Sequence, residues 1–292
     1  MVGFEIRIRE EFQKRWANPE DIIRENKNID FGWHFGYYET GVRTYKKAIL
    51  NMNNYIDRLL EINDNSRILD AGCGVGATTA FLAKKHSKSI FYGITLSSNE
   101  IKCAEELKRK YNLKNTKFFQ KSFNLTDFPD EFFDSIYALE SASFSKDIVM
   151  FIKEMNRILK QNGKLIIIDI FKKYNLPNQF CKNLRNKVIE EKKSKNFNVT
   201  IDVLKGSLSK EGFENINIRN LIKSKNIKFS HLYFFLFQRT FRNVRYYILE
   251  KKGKKRHRSL FYIWWFIYYF LIKYIIIIVS GYRYFSIVTI KK

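Results

Sequence analysis

The sequence predicts an α/β fold: a seven-stranded, mostly parallel sheet with helices on both faces, a helical cover at the N-terminus, and a helical aromatic insertion before the last strand. Three observations predict it. Strand-like and helix-like stretches alternate between residues 67 and 171, the pattern of a parallel sheet covered on both sides. Leu165–Ile168 is an unbroken apolar run, as a central strand buried on both faces requires. Arg67-Ile-Leu-Asp-Ala-Gly-Cys-Gly-Val-Gly-Ala77 joins an apolar strand to a helix start through a glycine-rich turn.

At 292 residues the chain suits one α/β domain carrying an extra subdomain. The expected division is a helical cover over 1–60, a core over 61–221, a basic and aromatic insertion over 222–282, and a final core strand over 283–292. Within the cover, Ile49, Met52, Ile56, Leu59 and Leu60 recur at helical spacing. Phe31-Gly-Trp-His-Phe-Gly-Tyr-Tyr-Glu39, with two glycines and five Phe, Trp and Tyr rings, reads as an ordered loop.

The core elements follow in order. Strands are expected near 67–71, 89–96, 116–121 and 134–140, and over Lys164–Phe171. Helices are expected near 77–87, near 98–112 behind Ser97 or Ser98, and near 146–160 ahead of Asn162-Gly163. Val203–Glu211 then reads as a helix and Gly212–Arg219 as a strand, and Tyr284-Phe-Ser-Ile-Val-Thr-Ile290 has the β-branched content of a last strand.

Charge and cysteine content narrow the class. With 53 Lys and Arg against 29 Asp and Glu, the formal charge is +24, a balance that attracts anions such as nucleic acid, acidic membranes or phosphorylated substrates. Codon bias toward Lys, Asn, Ile, Tyr and Phe explains the same excess without a partner. Cys73, Cys103 and Cys181 are odd in number and widely spaced, so neither a disulfide framework nor a metal site is expected, and a reducing, cytoplasmic compartment is the default.

The glycine-rich turn carries the chemistry. Gly72 permits a tight turn, Gly74 lets the main chain pass close to a ligand, and Gly76 packs the following helix on the strand. Asp70 at the strand end can accept a hydrogen bond from an ammonium group or a bridging water. A nucleotide dehydrogenase is the nearest competitor. Its G-x-G-x-x-G spacing and acidic end to the second strand are replaced here by G-x-G-x-G and Gly93-Ile-Thr-Leu-Ser97.

Ile68-Leu-Asp-Ala-Gly-Cys-Gly-Val-Gly76 resembles motif I of class I S-adenosylmethionine-dependent methyltransferases, which have a Rossmann-like sheet. Gly93-Ile-Thr-Leu-Ser97, Phe128-Pro-Asp-Glu-Phe-Phe-Asp134, Ala138-Leu-Glu-Ser141, Arg157–Lys164, His34-Phe-Gly-Tyr-Tyr-Glu39 and Tyr284–Lys291 are similar to the tocopherol and sterol C-methyltransferase group. The resemblance spans roughly residues 30–220 and the last ten.

That resemblance implies S-adenosyl-L-methionine as cofactor, held by Asp70, Gly72, Gly74, Gly76, Thr95, Leu96, Glu100, Ser122, Phe123 and Ala138. Glu100 is the expected ribose ligand, and the alternative is a carboxylate that favours its helix's first turn through the dipole. Ser122 stands where the family has an acid for the adenine amine, with the Phe123 backbone beside it. For catalysis the implied residues are Glu140, His34 and Tyr37. Glu140 can stabilise a cation and take a proton. His34, Tyr37 and Tyr38 can close over the cofactor or orient the acceptor, and the competing reading of His34 is a satisfied structural histidine. Ser141-Ala-Ser-Phe144 lacks the histidine that many members carry there.

The expected substrate is a lipophilic small molecule, C-methylated on an isoprenoid, sterol or prenylated ring, with a diphosphate among the candidates. N- or O-methylation of a small natural product is the alternative. Nucleic acid is disfavoured, because Ala138-Leu-Glu-Ser141 replaces the Asn/Asp-Pro-Pro-Tyr/Phe motif of base-amine methyltransferases. Lys251-Lys-Gly-Lys-Lys-Arg-His-Arg258 ahead of the aromatic run Phe261–Ile272 reads as a wall of an apolar pocket, as a patch docking on an anionic membrane surface, or as a solvated basic loop. The uncharged run from Ser259 to Ile272 is too short to span a bilayer.

Overall fold

A computed structural model describes residues 32, 34–39, 41–42, 44–145, 147–172, 199–221 and 282–292. Helix α1 covers Tyr45–Leu60, with Thr44 Oγ1 accepting from the Lys47 amide at its N-terminus. Its inner stripe of Ile49, Met52, Asn53, Ile56 and Leu60 is buried, as the spacing predicts. The core then runs β1 (Arg67–Ala71), α2 (Ala77–Lys85), β2 (Ile90–Thr95), α3 (Ser98–Lys110), β3 (Thr116–Gln120), β4 (Phe133–Leu139), a single 3₁₀ turn at Ala142–Phe144, α4 (Ile148–Ile158) and β5 (Leu159–Lys172). Helix α5 (Ile201–Lys210), β6 (Phe213–Asn220) and β7 (Tyr282–Lys291) close the series.

The seven strands lie in the order β3-β2-β1-β4-β5-β7-β6. Pairs from β3 through β5 are parallel, and β7 runs antiparallel to both β5 and β6. The α/β expectation of a mostly parallel, Rossmann-like sheet holds. Leu165–Ile168 are all buried, with Leu165 and Ile167 packed toward α4 and α5 and Ile166 and Ile168 toward α1 and α2. Each such side chain contributes roughly 1.5–3 kcal/mol.

Element boundaries differ from expectation most around the junction of α4 and β5. Helix α4 ends at Ile158 and β5 begins at Leu159, well ahead of Lys164. A register shift opposite Phe133 and Ser135 absorbs Asn162, whose φ is 59°, so the Asn-Gly pair marks a bulge inside the strand. Strand β7 runs longer than expected at both ends, Tyr282–Lys291. Residues 1–31 and 222–281 lie outside the described residues, and with them much of the expected helical cover and nearly all of the expected 222–282 insertion. Among the described residues no helix is long and apolar enough to cross a membrane.

Candidate active site

Strand order reverses at β1, which is flanked by β2 on one side and β4 on the other. In open α/β sheets, ligands enter the crevice at the carboxyl ends of strands where the order reverses. Here the chain leaving β1 meets the chain leaving β4. A Cβ added to Gly72 falls 2.3 Å from Ser141 Cβ, and Ser141 Oγ donates to the Ala71 carbonyl at 2.5 Å. Gly72 is therefore a crowding requirement as well as a turn. At Gly76 a Cβ falls 2.7 Å from Ala104 Cβ and 2.9 Å from Phe118 Cε1, so glycine lets α2 settle on α3 and β3. Gly74 differs: its φ is 52°, and among the described residues no atom beyond its own chain neighbours lies within 4 Å of the position a Cβ takes.

Beneath this loop Asp70 is 3% exposed. Its Oδ2 accepts from Thr79 Oγ1 at 2.6 Å and from Tyr137 OH at 2.7 Å. Burial pushes its pKa up to about 6, against the opposing pull of those two hydroxyls. The Cys73 thiol is raised well above its usual value by burial and then by the Asp70 and Glu100 carboxylates, so it stays protonated and unreactive.

The Asp70 shift carries a sign. A carboxyl whose folded pKa is raised gives stability below its unfolded pKa and loses it as pH rises through about 6. Asp70→Asn keeps an acceptor for both hydroxyls and removes the buried charge. In denaturant titrations the ligand-free variant is expected to gain about 3 kcal/mol at pH 7.5, shrinking to about 1 kcal/mol at pH 4.5; an equal difference at both values contradicts this.

Most of the residues expected on the ribose and adenine side lie at or just beyond the ends of the paired strands β2 and β3 and in the first turn of α3. Thr95 Oγ1 donates to Glu100 Oε2 at 2.5 Å, and Ser97 Oγ accepts from the Glu100 amide at 3.3 Å as the cap of α3. The Glu100 carboxylate is thus buried against the end of β2. The Leu96 carbonyl accepts from Gln120 Nε2 at 3.0 Å. Ser122 Oγ accepts from the Asn124 amide at 3.1 Å within a local turn, and the Phe123 ring packs edge-on against Phe151 at 5.3 Å. Ala138 is a fully buried core residue of β4.

On the other side of the crevice, Glu140 directly follows β4 with φ 55°, a backbone state that costs a non-glycine residue about 1–2 kcal/mol. Its conformation is held from several directions. The Glu140 amide donates to the Ile168 carbonyl at 2.7 Å, and the Ser143 amide, just beyond, donates to Asp169 Oδ2 at 2.8 Å. Most telling, the Phe35 amide donates to Glu140 Oε1 at 2.6 Å. The structure thereby brings the 34–39 segment onto the end of β4.

His34 is 2% exposed and both ring nitrogens are engaged. Nε2 lies 3.1 Å from Asn53 Oδ1, an acceptor, so the proton sits on Nε2 and donates; Nδ1 accepts from the Gly36 amide at 3.2 Å. Burial pulls the His34 pKa down to about 4, opposed by the Asn53 bond. The ring is neutral and structural in this arrangement. Tyr37 packs on Tyr55 at 4.8 Å, its amide donates to the Ala48 carbonyl, and burial raises its pKa. That position packs against α1, whose Tyr55 hydroxyl in turn meets Ser286 Oγ of β7 at 2.9 Å. Burial also pushes the Tyr38 phenol up to about 12.

Asn53, Thr78, Thr79, Tyr137, Ser141 and Phe35 were not anticipated. One signal was available for Asn53: it lies four residues after Ile49 and three before Ile56, a polar residue on an apolar stripe.

The sterol 24-C-methyltransferase of Debaryomyces hansenii is 28% identical over 165 residues, covering 53% of this chain and 43% of the relative. The chain thus spans less than half the length of that protein. Among solved structures, the [4+2]-cyclase SpnF superposes with a TM-score of 0.70 at 18% identity, covering 97% of this chain and 96% of that one. A geranyl diphosphate C-methyltransferase from Streptomyces coelicolor A3(2), solved with Mg2+, geranyl diphosphate and S-adenosyl-L-homocysteine, superposes with a TM-score of 0.66 at 12% identity over 98% of each chain. At these identities the superpositions show the shared fold. A family described as a methyltransferase domain matches residues 62–229, more than half of the sequence, and the chain belongs to that family.

Proposed function

We propose that this protein is an S-adenosylmethionine-dependent methyltransferase that methylates carbon on a lipophilic, isoprenoid-derived acceptor. The observation that carries the cofactor half is the space over Gly74, open among the described residues, in a loop whose other two glycines are crowded by protein atoms. That open cradle, with buried Asp70 below it, fits a ligand that presses on the main chain and carries an ammonium group. Asp70, Gly72, Gly74 and Gly76 form this cradle, and Thr95, Leu96 and Glu100 extend it along the end of β2. When bound, such a cofactor supplies an electrophilic methyl group on a sulfonium.

The remaining work belongs to the acceptor side. Methylation of an alkene or aromatic carbon leaves positive charge on the acceptor, and a carboxylate at the site stabilises that charge and removes a proton. Glu140 is suited to this role: its amide and the Ser141–Ser143 turn fix it at the mouth of the β1/β4 crevice, and Phe35 holds its Oε1. His34 supports this arrangement as a positioning residue, since both its nitrogens are committed. The relatives described above are a sterol 24-C-methyltransferase and a geranyl diphosphate C-methyltransferase; both names point to carbon on an isoprenoid skeleton. The basic cluster Lys251–Arg258 beside aromatic Phe261–Ile272 suits a diphosphate or an anionic lipid surface as the place where such an acceptor is met.

Calorimetric titration with S-adenosylmethionine tests the cofactor half. Binding tighter than about a millimolar is expected, and its affinity is expected to fall about tenfold per pH unit below about pH 6, as Asp70 takes up a proton. Absence of binding at pH 7.5 overturns the proposal.

A further inference from the structure

We propose that Asn53 is a positioning residue that couples occupancy of the cofactor loop to the seating of the 34–39 segment on Glu140, an inference that rests on the cofactor reading above. One amide oxygen makes the link. Asn53 Oδ1 accepts from Thr78 Oγ1 at 3.1 Å and from His34 Nε2 at 3.1 Å. All three residues are buried. Thr78 stands in the first turn of α2, directly behind the glycine loop.

From His34 the connection continues through the main chain. The His34 ring holds the Gly36 amide, the His34 carbonyl accepts from Tyr45 OH at 2.8 Å, and the intervening Phe35 amide reaches Glu140. A chain of contacts thus runs from Thr78 through Asn53 and His34 to Glu140, joining the two sides of the crevice.

Two further observations argue that the segment is built around this link. A Cβ on Gly32 falls 3.1 Å from the His34 ring and 3.2 Å from Thr78 Oγ1, and one on Gly36 falls 2.8 Å from Ala48 Cβ. Glycine at both places lets the chain wrap the buried polar group and lie flat on α1. Asn53 itself interrupts an apolar helical stripe, where an aliphatic side chain packs at lower desolvation cost. A buried amide that accepts from both neighbours fixes their relative positions, and it fixes the Nε2-protonated tautomer of His34.

A ligand that orders the start of α2 then favours the seated form of the 34–39 segment, and the seated form favours the ligand by the same factor. The test uses the full chain with S-adenosylhomocysteine as probe, read by calorimetry and by amide hydrogen exchange at Phe35 and Gly36. In the native sequence, saturating probe is expected to slow exchange at those amides by roughly five- to a hundredfold. Thr78→Val removes the cofactor-side donor at constant shape and is expected to abolish that slowing while the probe still binds; Thr78→Ser is expected to restore it. Asn53→Leu is expected to behave like Thr78→Val, and the threonine pair keeps the test decisive if the leucine variant does not fold.

Probe binding with unchanged protection in Thr78→Val overturns the coupling, as does no protection in the native protein. Failure of the probe to bind at all overturns the cofactor reading instead, and the coupling with it. A nitrogen NMR spectrum of the ligand-free protein reads the link independently: His34 protonated on Nδ1 at pH 7 contradicts it.

Discussion

Glu140→Gln is expected to lower turnover by about two to four orders of magnitude while leaving S-adenosylmethionine affinity nearly unchanged. Glutamine keeps the carbonyl-type oxygen that accepts from the Phe35 amide and has similar backbone preferences, so the strained φ of 55° is not relieved. The substitution therefore removes charge and basicity while preserving the acceptor that seats the 34–39 segment. A structural role for Glu140 predicts little change on this substitution. A role in stabilising positive charge or removing a proton predicts a large fall in kcat. Steady-state kinetics beside a calorimetric titration separates the two, and native-like turnover in the variant removes Glu140 from the chemistry.

The second large effect concerns the glycine loop, where two neighbouring glycines are expected to fail differently. Gly74→Ala is expected to fold almost normally, losing about 1 kcal/mol for its positive φ, because among the described residues no atom beyond its chain neighbours lies within 4 Å of the new Cβ. Its S-adenosylmethionine affinity is expected to drop roughly tenfold to a hundredfold, since the methyl group enters the space assigned to the ligand. Gly72→Ala is expected to lose stability outright: the new Cβ falls 2.3 Å from Ser141 Cβ, on a backbone with φ 99°, and Ser141 is tied to Ala71. Thermal unfolding with and without ligand distinguishes them. A Gly74→Ala protein that binds with native affinity shows that the open space has another purpose.

The fold was legible because its signals are local. Apolar runs such as Leu165–Ile168, the cap at Ser97 and the glycine turn each declare an element within a few residues. The Asn162-Gly163 pair misled because the same dipeptide that ends a helix also supplies the left-handed residue of a bulge, and pairing with β4 decides between them. At the site, Asp70 and the glycines follow from the strand-turn-helix context.

What the sequence did not disclose depends on contacts between distant residues. Asn53 meets partners 19 and 25 positions away, and Gly72 is required by Ser141, which only the adjacency of β1 and β4 brings close. His34 carried the right local motif for a catalytic residue, yet its surroundings make it neutral and doubly bonded. Ser122 likewise sits at the expected strand end, while its hydroxyl is turned into a local loop. The basic and aromatic segment that the sequence makes conspicuous falls outside the described residues.

The most direct measurement of the central claim is an acceptor screen with methyl-labelled S-adenosylmethionine across prenyl diphosphates, sterols, prenylated quinols, small amines and RNA. Acceptor-dependent label in a new carbon–methyl bond of an isoprenoid-bearing compound, lost in Glu140→Gln, is the predicted result. Label confined to amines or RNA, or no transfer to any acceptor by protein that binds the cofactor, contradicts it.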